Sequence, residues 1–249
     1  MKILVCIGNV PDTTTKIRFN AEMKELEAQG VQWVINPWDE LALTRALELK
    51  EASGGKTNKA TIADVGLVAT EPTIRKALAM GADDAVRVDA NPTDSYSIAM
   101  QLSEVIKNDE YGLIFCGIES SDFNSASVGG MLAELLEMPS VSAISACEYD
   151  GEKFTLKRDI DGGKETLEMK APFVAIVQKG ICINPRIPAM RGIMMARSKP
   201  LNVIQGVEVD ALVENEVLEL PPPKAACKVL GEEETDKLVD LLHNEAKVI

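Results

Sequence analysis

The chain has 249 residues, of which 46% are hydrophobic and 26% charged, a balance typical of a globular protein with one large or two small domains. Its net charge of −13 argues against nucleic acid as a partner. The single histidine, His243, leaves little room for Ser-His-Asp, Cys-His or histidine-rich metal chemistry, and we expect it to be a surface residue. We therefore predict a binding or electron-carrying protein with no catalytic residue and no metal site.

The N-terminus and the cysteines indicate the compartment. The opening apolar run is of strand length, shorter than a secretory core, and no run approaches the roughly 20 residues that cross a bilayer. The five cysteines are scattered without a CxxC pair, which predicts reduced, mostly buried side chains. We expect a cytoplasmic protein of bacterial type, with no targeting segment and no membrane insertion.

Strand and helix signals alternate as far as residue 139. The predicted strands are 2–10, 31–35, 60–68, 84–89 and 111–117. The predicted helices are 36–55, with Asn36 as N-cap, then 70–81, 93–108 and 125–138. This alternation predicts an α/β fold, with a mostly parallel sheet and helices on both of its faces.

The pattern changes near residue 140. Residues 140–183 alternate with period two and carry turns at Asp150-Gly151 and Asp161-Gly162-Gly163, which predicts an antiparallel hairpin extension of the sheet. After Lys199 the sequence becomes acidic and poor in core residues, contains three consecutive prolines, and ends in a short helix near 232–246. We predict a nucleotide-binding domain over 1–200 and an extended C-terminal arm over 201–249 that packs on another subunit.

Ligands of open parallel sheets bind beyond the carboxyl ends of the strands. Four segments supply such ends: 6–11, 36–39, 63–66 and 116–130. In the last, Gly117 allows close backbone approach, and a loop rich in Ser, Asn and Asp leads into a helix whose free N–H groups attract phosphate. Asp122 would suit ribose hydroxyls or an amino group.

The same loop is equally compatible with a capped surface turn, since Ser, Asn and Asp also form turns. Neither a dinucleotide-binding GxGxxG nor a phosphate-binding GxxxxGK[ST] motif is present. A further segment outside these four is "NPRIPAMRGIMMARSKP" (184–200). It is either a connection with core-filling methionines or an adaptable partner surface.

Five stretches taken together resemble the beta subunit of electron-transfer flavoproteins, nearly end to end. They are "INPWDELAL", "TIRKALAMGAD", the pattern D-x-N-x-A-x-x-G in 122–129, "RDIDGGKETL" and "NPRIPAMRGIMMARSKP". The resemblance implies a fold like that of the adenine nucleotide alpha-hydrolases. It also implies an electron carrier rather than an enzyme, which pairs with an alpha subunit that holds most of the FAD, near the interface. The beta subunit itself buries one AMP.

The resemblance also implies partners and site residues. Electrons arrive from acyl-CoA or related flavin dehydrogenases, as in fatty acid oxidation, and leave through a quinone oxidoreductase. The implied AMP contacts are Cys6, Asn36, Pro37, Trp38, Asp39, Val65, Gly117, Ile118, Glu119, Ser120, Ser121, Asp122, Phe123, Asn124, Ser125, Ala126, Ser127 and Val128. Asn124 stands where relatives often have aspartate.

A dehydrogenase recognition loop is implied for residues 186–195. Its members are Arg186, Ile187, Pro188, Ala189, Met190, Arg191, Gly192, Ile193, Met194 and Met195. We expect it to be exposed, with Met190 as the apolar anchor, where relatives have leucine, and Arg186 and Arg191 beside it. Asp159, where relatives often have glutamate, is the implied contact with the alpha subunit. Thr13 stands where some relatives have tyrosine, so we expect no aromatic contact with the flavin there.

Two alternatives remain open from the sequence. The first is a bifurcating relative that holds a second FAD in place of AMP and takes electrons from NADH. The second belongs to another class: a stand-alone nucleotide-binding regulator of the stress-protein type, which would be a homodimer and would need neither the arm nor the methionine segment.

Overall fold

The computed structural model describes residues 1–224 and 226–249. The chain divides into two units, Met1–Glu216 and Val217–Ile249. The strands of the first unit are β1 Lys2–Cys6, β2 Asn9–Pro11, β3 Trp33–Ile35, β4 Lys59–Val65, β5 Asp84–Asp89, β6 Leu113–Gly117, β7 Ser140–Tyr149, β8 Phe154–Ile160, β9 Gly163–Met169, β10 Phe173–Val177 and β11 Leu201–Gln205. Its helices are α1 Pro37–Ala52, α2 Glu71–Met80, α3 Ser95–Lys107, α4 Val128–Leu135 and α5 Met190–Ala196.

A nine-stranded sheet forms the centre of the first unit. Its strand order is β11-β5-β4-β1-β6-β10-β7-β8-β9. The pairs from β11 to β7 are parallel, and β7–β8 and β8–β9 are antiparallel. The predicted α/β fold and its antiparallel extension are therefore confirmed. The alternation pattern did not reveal that β10 returns to lie between β6 and β7.

Helices cover both faces of the sheet, as predicted. On one face, α1 and α2 pack Leu43 and Leu78 against Ile3 and Phe115 of the sheet. On the other face, α3 and α4 pack Leu102, Leu132 and their neighbours against Leu4 and Ile114. Because both faces are buried, the central strands are apolar throughout.

The predicted strand 2–10 is broken in the structure. Ile7 N still donates to Ala63 O (2.9 Å), but the chain then leaves the large sheet. Its next residues form β2, which pairs antiparallel with β3 in a separate two-stranded sheet. The glycine at position 8 marks the break, since glycine inside a strand often accompanies a change of direction.

Several other boundaries differ from the prediction. Strand β4 ends at Val65, three residues early, and a 3₁₀ turn at Val68–Thr70 leads into α2. Helix α4 begins at Val128 rather than 125, because Ala126 adopts a left-handed conformation with φ 51° that an α-helix excludes. Residues 201–205, predicted to begin the arm, instead form β11 beside β5.

The second unit, Val217–Ile249, contains α6 (Thr235–Asp240) and a π-helical segment (Leu241–Glu245). Together they match the predicted C-terminal helix at 232–246. Neither helical segment buries a side chain, and Leu238 and Val239 are exposed. Among residues 217–224 and 226–249, the apolar side chains therefore form no core of their own.

Two buried ionisable residues lie next to each other where β4 and β5 run side by side. Asp64 and Arg87 are register partners, and Asp64 is only 1% exposed. Asp64 Oδ2 accepts a hydrogen bond from Thr70 Oγ1 (2.6 Å), and Arg87 Nη1 donates to Gly66 O (2.7 Å). Burial raises the pKa of Asp64 to about 6, although the Thr70 hydrogen bond and the Arg87 charge oppose this shift.

This raised pKa makes stability depend on pH. The folded chain holds the Asp64 proton more tightly than the unfolded chain, so the contribution to the free energy of unfolding is largest below pH 4 and is lost as pH rises toward about 6. The variant Asp64→Asn has no carboxyl group at this position, so this loss of stability with rising pH does not occur in it. We expect the stability of Asp64→Asn relative to wild type to rise between pH 4 and 7 by roughly 2 to 3 kcal/mol.

Urea denaturation at several pH values measures this difference. Asp161→Asn, at the exposed hairpin tip, is the matched control for loss of one carboxylate. Parallel curves for wild type and Asp64→Asn across this range would contradict the prediction.

Candidate functional site

The order of the large sheet reverses between β1 and β6. From β1 the chain adds β4 and β5 on one side, then crosses to place β6 and β10 on the other. In open α/β sheets, ligands bind in the crevice outside the carboxyl ends of the two strands at such a switch point. Cys6 and Gly117 end these two strands, and Val65 ends the neighbouring β4. The structure therefore brings three of the predicted strand ends to one edge of the sheet.

Asp39 ties this edge together. It is buried in the first turn of α1, where its Oδ2 accepts a hydrogen bond from Gly8 N (2.8 Å) and its Oδ1 accepts one from Gly117 N (2.9 Å). Burial raises the pKa of Asp39 to about 7, against the effect of the backbone donors. One carboxylate thus fixes the chain after β1 and the end of β6 relative to the start of α1.

The tie requires glycine at position 117, as the sequence predicted. A Cβ there would lie 2.3 Å from Asp39 Oδ1 and 2.9 Å from Trp38 Cβ, which is closer than side-chain atoms approach. The sequence analysis did not identify Gly8 as the other donor to Asp39. A glycine inside an apolar run of strand length was the signal that could have indicated it.

Asn36 holds the loop that follows β6. It occupies the N-cap position of α1, as predicted, but its side chain makes no capping hydrogen bond. Instead its Nδ2 donates to Glu119 O (2.8 Å), and its Oδ1 accepts from Ser121 N (3.1 Å). An amide side chain can pair with a backbone acceptor and a backbone donor together. Here it attaches the loop to the start of α1 through bonds between residues 83 and 85 apart in the sequence.

The loop 117–127 has an irregular backbone. Asn124 and Ala126 both have φ 51°, and asparagine is among the residues that tolerate this conformation best. Asn124 N donates to Ser120 O (2.9 Å), and Ser125 Oγ lies 2.9 Å from Ser95 Oγ at the start of α3. Asp122 accepts from Phe123 N within the loop. The loop is thus fixed to α1 on one side and to α3 on the other.

The apolar side of the crevice comes from the same strand ends. Val65, Ile118 and Val128 are partly buried and pack on the cluster that contains Cys6 and Cys116. A hydrogen bond with Cys116, together with burial, raises the pKa of Cys6 well above its usual value. Cys6 is therefore a protonated, apolar wall residue rather than a nucleophile.

The predicted recognition loop is mostly exposed. Ile187 is 86% exposed, Met190 76% and Met194 71%, and α5 begins at Met190. Ala189, Arg191, Ile193 and Met195 are also exposed, and Pro188 and Gly192 are partly buried. The expectation for Arg186 is wrong: its guanidinium turns back to Glu51 of α1 (2.7 and 2.8 Å) rather than standing free beside Met190.

The remaining predicted contacts lie elsewhere. Asp159, on β8, is exposed; it accepts from Gln178 Nε2 (2.7 Å) and lies 3.3 Å from Lys164 Nζ. Thr13 lines a depression of about 210 Å³ whose other residues are Pro11, Asp12, Val34, Ile35, Pro37, Glu40, Lys76 and Ser121. Pro37 and Ser121 place this depression beside the crevice.

In residues 1–224 and 226–249, no group of three or more His, Cys, Asp or Glu side chains is arranged to hold a metal ion. Nor does any helix in them combine the length and apolar character that a bilayer crossing requires.

Comparison with known proteins gives a consistent result. The model of the electron transfer flavoprotein domain family matches residues 25–208. The electron transfer flavoprotein subunit beta of Bacillus subtilis (strain 168) is 36% identical, and the match covers 100% of both chains. The mitochondrial electron transfer flavoprotein subunit beta of Arabidopsis thaliana is 34% identical with 100% of both chains covered, and the Homo sapiens subunit beta is 31% identical with 91% of each covered. Since the match includes the crevice and the exposed methionine segment, the chain belongs to the electron transfer flavoprotein beta subunit family.

Proposed function

We propose that this chain is the beta subunit of a heterodimeric electron-transfer flavoprotein of the cytoplasm. It receives electrons from acyl-CoA or related flavin dehydrogenases and passes them toward a quinone oxidoreductase, as a carrier rather than an enzyme. The observation that carries the proposal is the family match: a subunit beta relative matches over the whole chain, and the family model covers residues 25–208, which include Asp39, Gly117 and the segment 186–195. The unit Met1–Glu216 binds the nucleotide, and the unit Val217–Ile249 packs on the alpha subunit.

AMP is the nucleotide that we propose for the crevice at β1 and β6. The residues fit such a group: the side chains of Cys6, Val65, Ile118 and Val128 offer an apolar wall beside the end of β6. Helix α4 begins directly after the loop, and the free N–H groups of its first turn suit a phosphate. Asn36 and Asp39 hold the walls in place.

The alpha subunit, with most of the FAD, is the proposed partner for three parts of the chain. Asp159 lies exposed on β8, near the DGG turn. The unit Val217–Ile249 has helices that bury no side chain, so its apolar residues need a surface from another chain. The depression at Thr13, beside the crevice, supports a position near the flavin.

The dehydrogenase is the proposed partner for residues 186–195, with Met190 as the anchor. An exposed methionine at the first residue of a short helix is a flexible apolar side chain that can fill a shallow pocket. Docking through a small apolar patch gives a brief contact, which suits a carrier that must leave after each transfer.

Co-expression with the cognate alpha subunit tests the proposal as a whole. We expect a heterodimer with one FAD and one AMP, measured by flavin absorbance and by nucleotide analysis after denaturation. Two FAD per heterodimer and no AMP would instead establish the bifurcating type. A stable homodimer of this chain that binds no alpha subunit would overturn the proposal in favour of a stand-alone regulator.

Gly117→Ala tests the clamped crevice. The added Cβ clashes with Asp39 Oδ1, so the tie between β6 and α1 opens and the AMP content of the heterodimer should fall severalfold. Gly163→Ala, on β9, is the matched control, because a Cβ at that position meets no atom within 4 Å. Equal AMP content in Gly117→Ala and wild type would show that the crevice does not hold the nucleotide.

Met190→Ala tests the docking segment. Truncation of an apolar anchor should slow transfer from a reduced acyl-CoA dehydrogenase by about tenfold at sub-saturating partner, with FAD and AMP content unchanged. Met194→Ala, on the same helix with similar exposure, should have a smaller effect. If transfer to Met190→Ala is as fast as to wild type, the segment is structural only.

A further inference from the structure

We propose that Glu51 is a positioning residue for partner docking. Together with Thr44, it fixes the backbone at Arg186 and so sets where Met190 is presented to the dehydrogenase. This inference rests on the proposed docking role of residues 186–195.

The docking segment has little apolar packing to hold its shape. Ile187, Met190 and Met194 are all largely exposed, and in α5 the buried residue is Ala196 at its end. A helix of seven residues is not stable on its own. The order of the segment must therefore come from contacts with the rest of the domain.

Polar contacts anchor the N-terminal side of the segment to α1. Arg186 N donates to Thr44 Oγ1 (2.9 Å), and Thr44 Oγ1 itself donates to Glu40 O (2.9 Å). The Arg186 guanidinium donates two hydrogen bonds to the Glu51 carboxylate, a two-pronged geometry that fixes orientation as well as distance. The hydrogen bond from Arg186 lowers the pKa of Glu51. Thr44 and Glu51 lie two turns apart on α1, so Arg186 is held along the helix.

A second anchor, on α2, holds the C-terminal side. Arg75 Nη1 donates to Ala196 O and Lys199 O (both 2.8 Å). Lys199 Nζ donates to Leu78 O (2.9 Å), and also reaches Ala82 O, at the C-terminal end of α2. Gly192 approaches Ala79 O so closely that a Cβ would lie 2.4 Å from it.

Met190 lies between the two anchors, four residues after Arg186 and six before Ala196. The anchor on α2 uses backbone carbonyls and a buried residue, whereas the anchor at Arg186 depends on a side-chain pair at the surface. Glu51 is 61% exposed and Arg186 30% exposed, so the pair adds little to overall stability. The pair instead keeps the docking segment ordered. A segment that already has its bound shape loses less conformational entropy on docking.

Hydrogen exchange and kinetics on the FAD-loaded heterodimer test this role. In Glu51→Gln we expect the backbone amides of Arg186, Ile187, Ala189 and Met190 to exchange several times faster. We also expect KM for a reduced acyl-CoA dehydrogenase to rise about three- to fivefold, with kcat unchanged. Glu48→Gln is the matched control: Glu48 lies on the same helix, forms its ion pair with Arg45, and acts on Arg186 only through its charge at longer range.

The charge-swapped double variant, Glu51→Arg with Arg186→Glu, rebuilds the ion pair with reversed charges and should restore slow exchange. Wild-type exchange and KM in Glu51→Gln would overturn the inference, and so would an equal effect of Glu48→Gln. If Met190→Ala alters KM but Glu51→Gln does not, the docking role stands and the positioning role fails. If neither variant alters KM, both fail.

Discussion

The Asp39 carboxylate is the contact on which the arrangement of the site depends. Two backbone N–H groups, from Gly8 and Gly117, converge on its two oxygens. Hydrogen bonds to an ionised acceptor are stronger than neutral ones, but a buried carboxylate also loses its hydration, and the raised pKa reflects that cost. The two donors come from either side of the switch point. The crevice therefore has its width set by one side chain rather than by the packing of mobile loops.

Asn36, about one helical turn before Asp39, also holds part of the site through hydrogen bonds to backbone groups. Asp39 fixes the strand ends, and Asn36 fixes the loop that leaves β6, so two side chains at the start of α1 organise one wall of the crevice. The left-handed residues Asn124 and Ala126 follow in that loop. Such conformations persist where the surrounding contacts determine them. The rigidity of the loop is thus a property of α1 and α3 as much as of the loop itself.

The sequence predicted the layers of the fold well and the side-chain partners poorly. Apolar runs, caps and turns are local signals, and they gave the alternation, the hairpins and the edge of the sheet where Cys6, Val65 and Gly117 meet. The break after Ile7 was missed because it depends on pairing with β3, some two dozen residues away. The partners of Asn36 and Arg186 were missed because they lie even farther away in the sequence. Their bonds join residues 83 and 135 apart, and no local pattern specifies such distances.

The position of β10 has a consequence for how the chain reaches this structure. Residues 173–177 lie in the sheet between β6 and β7, both of which precede them in the chain. During synthesis, β6 and β7 emerge first, and each has an unpaired parallel edge until β10 leaves the ribosome and inserts between them. Pairings between distant segments form slowly, and unpaired edges attract other chains. The nascent protein must therefore keep the two halves of its sheet apart, and soluble, until the last central strand joins them.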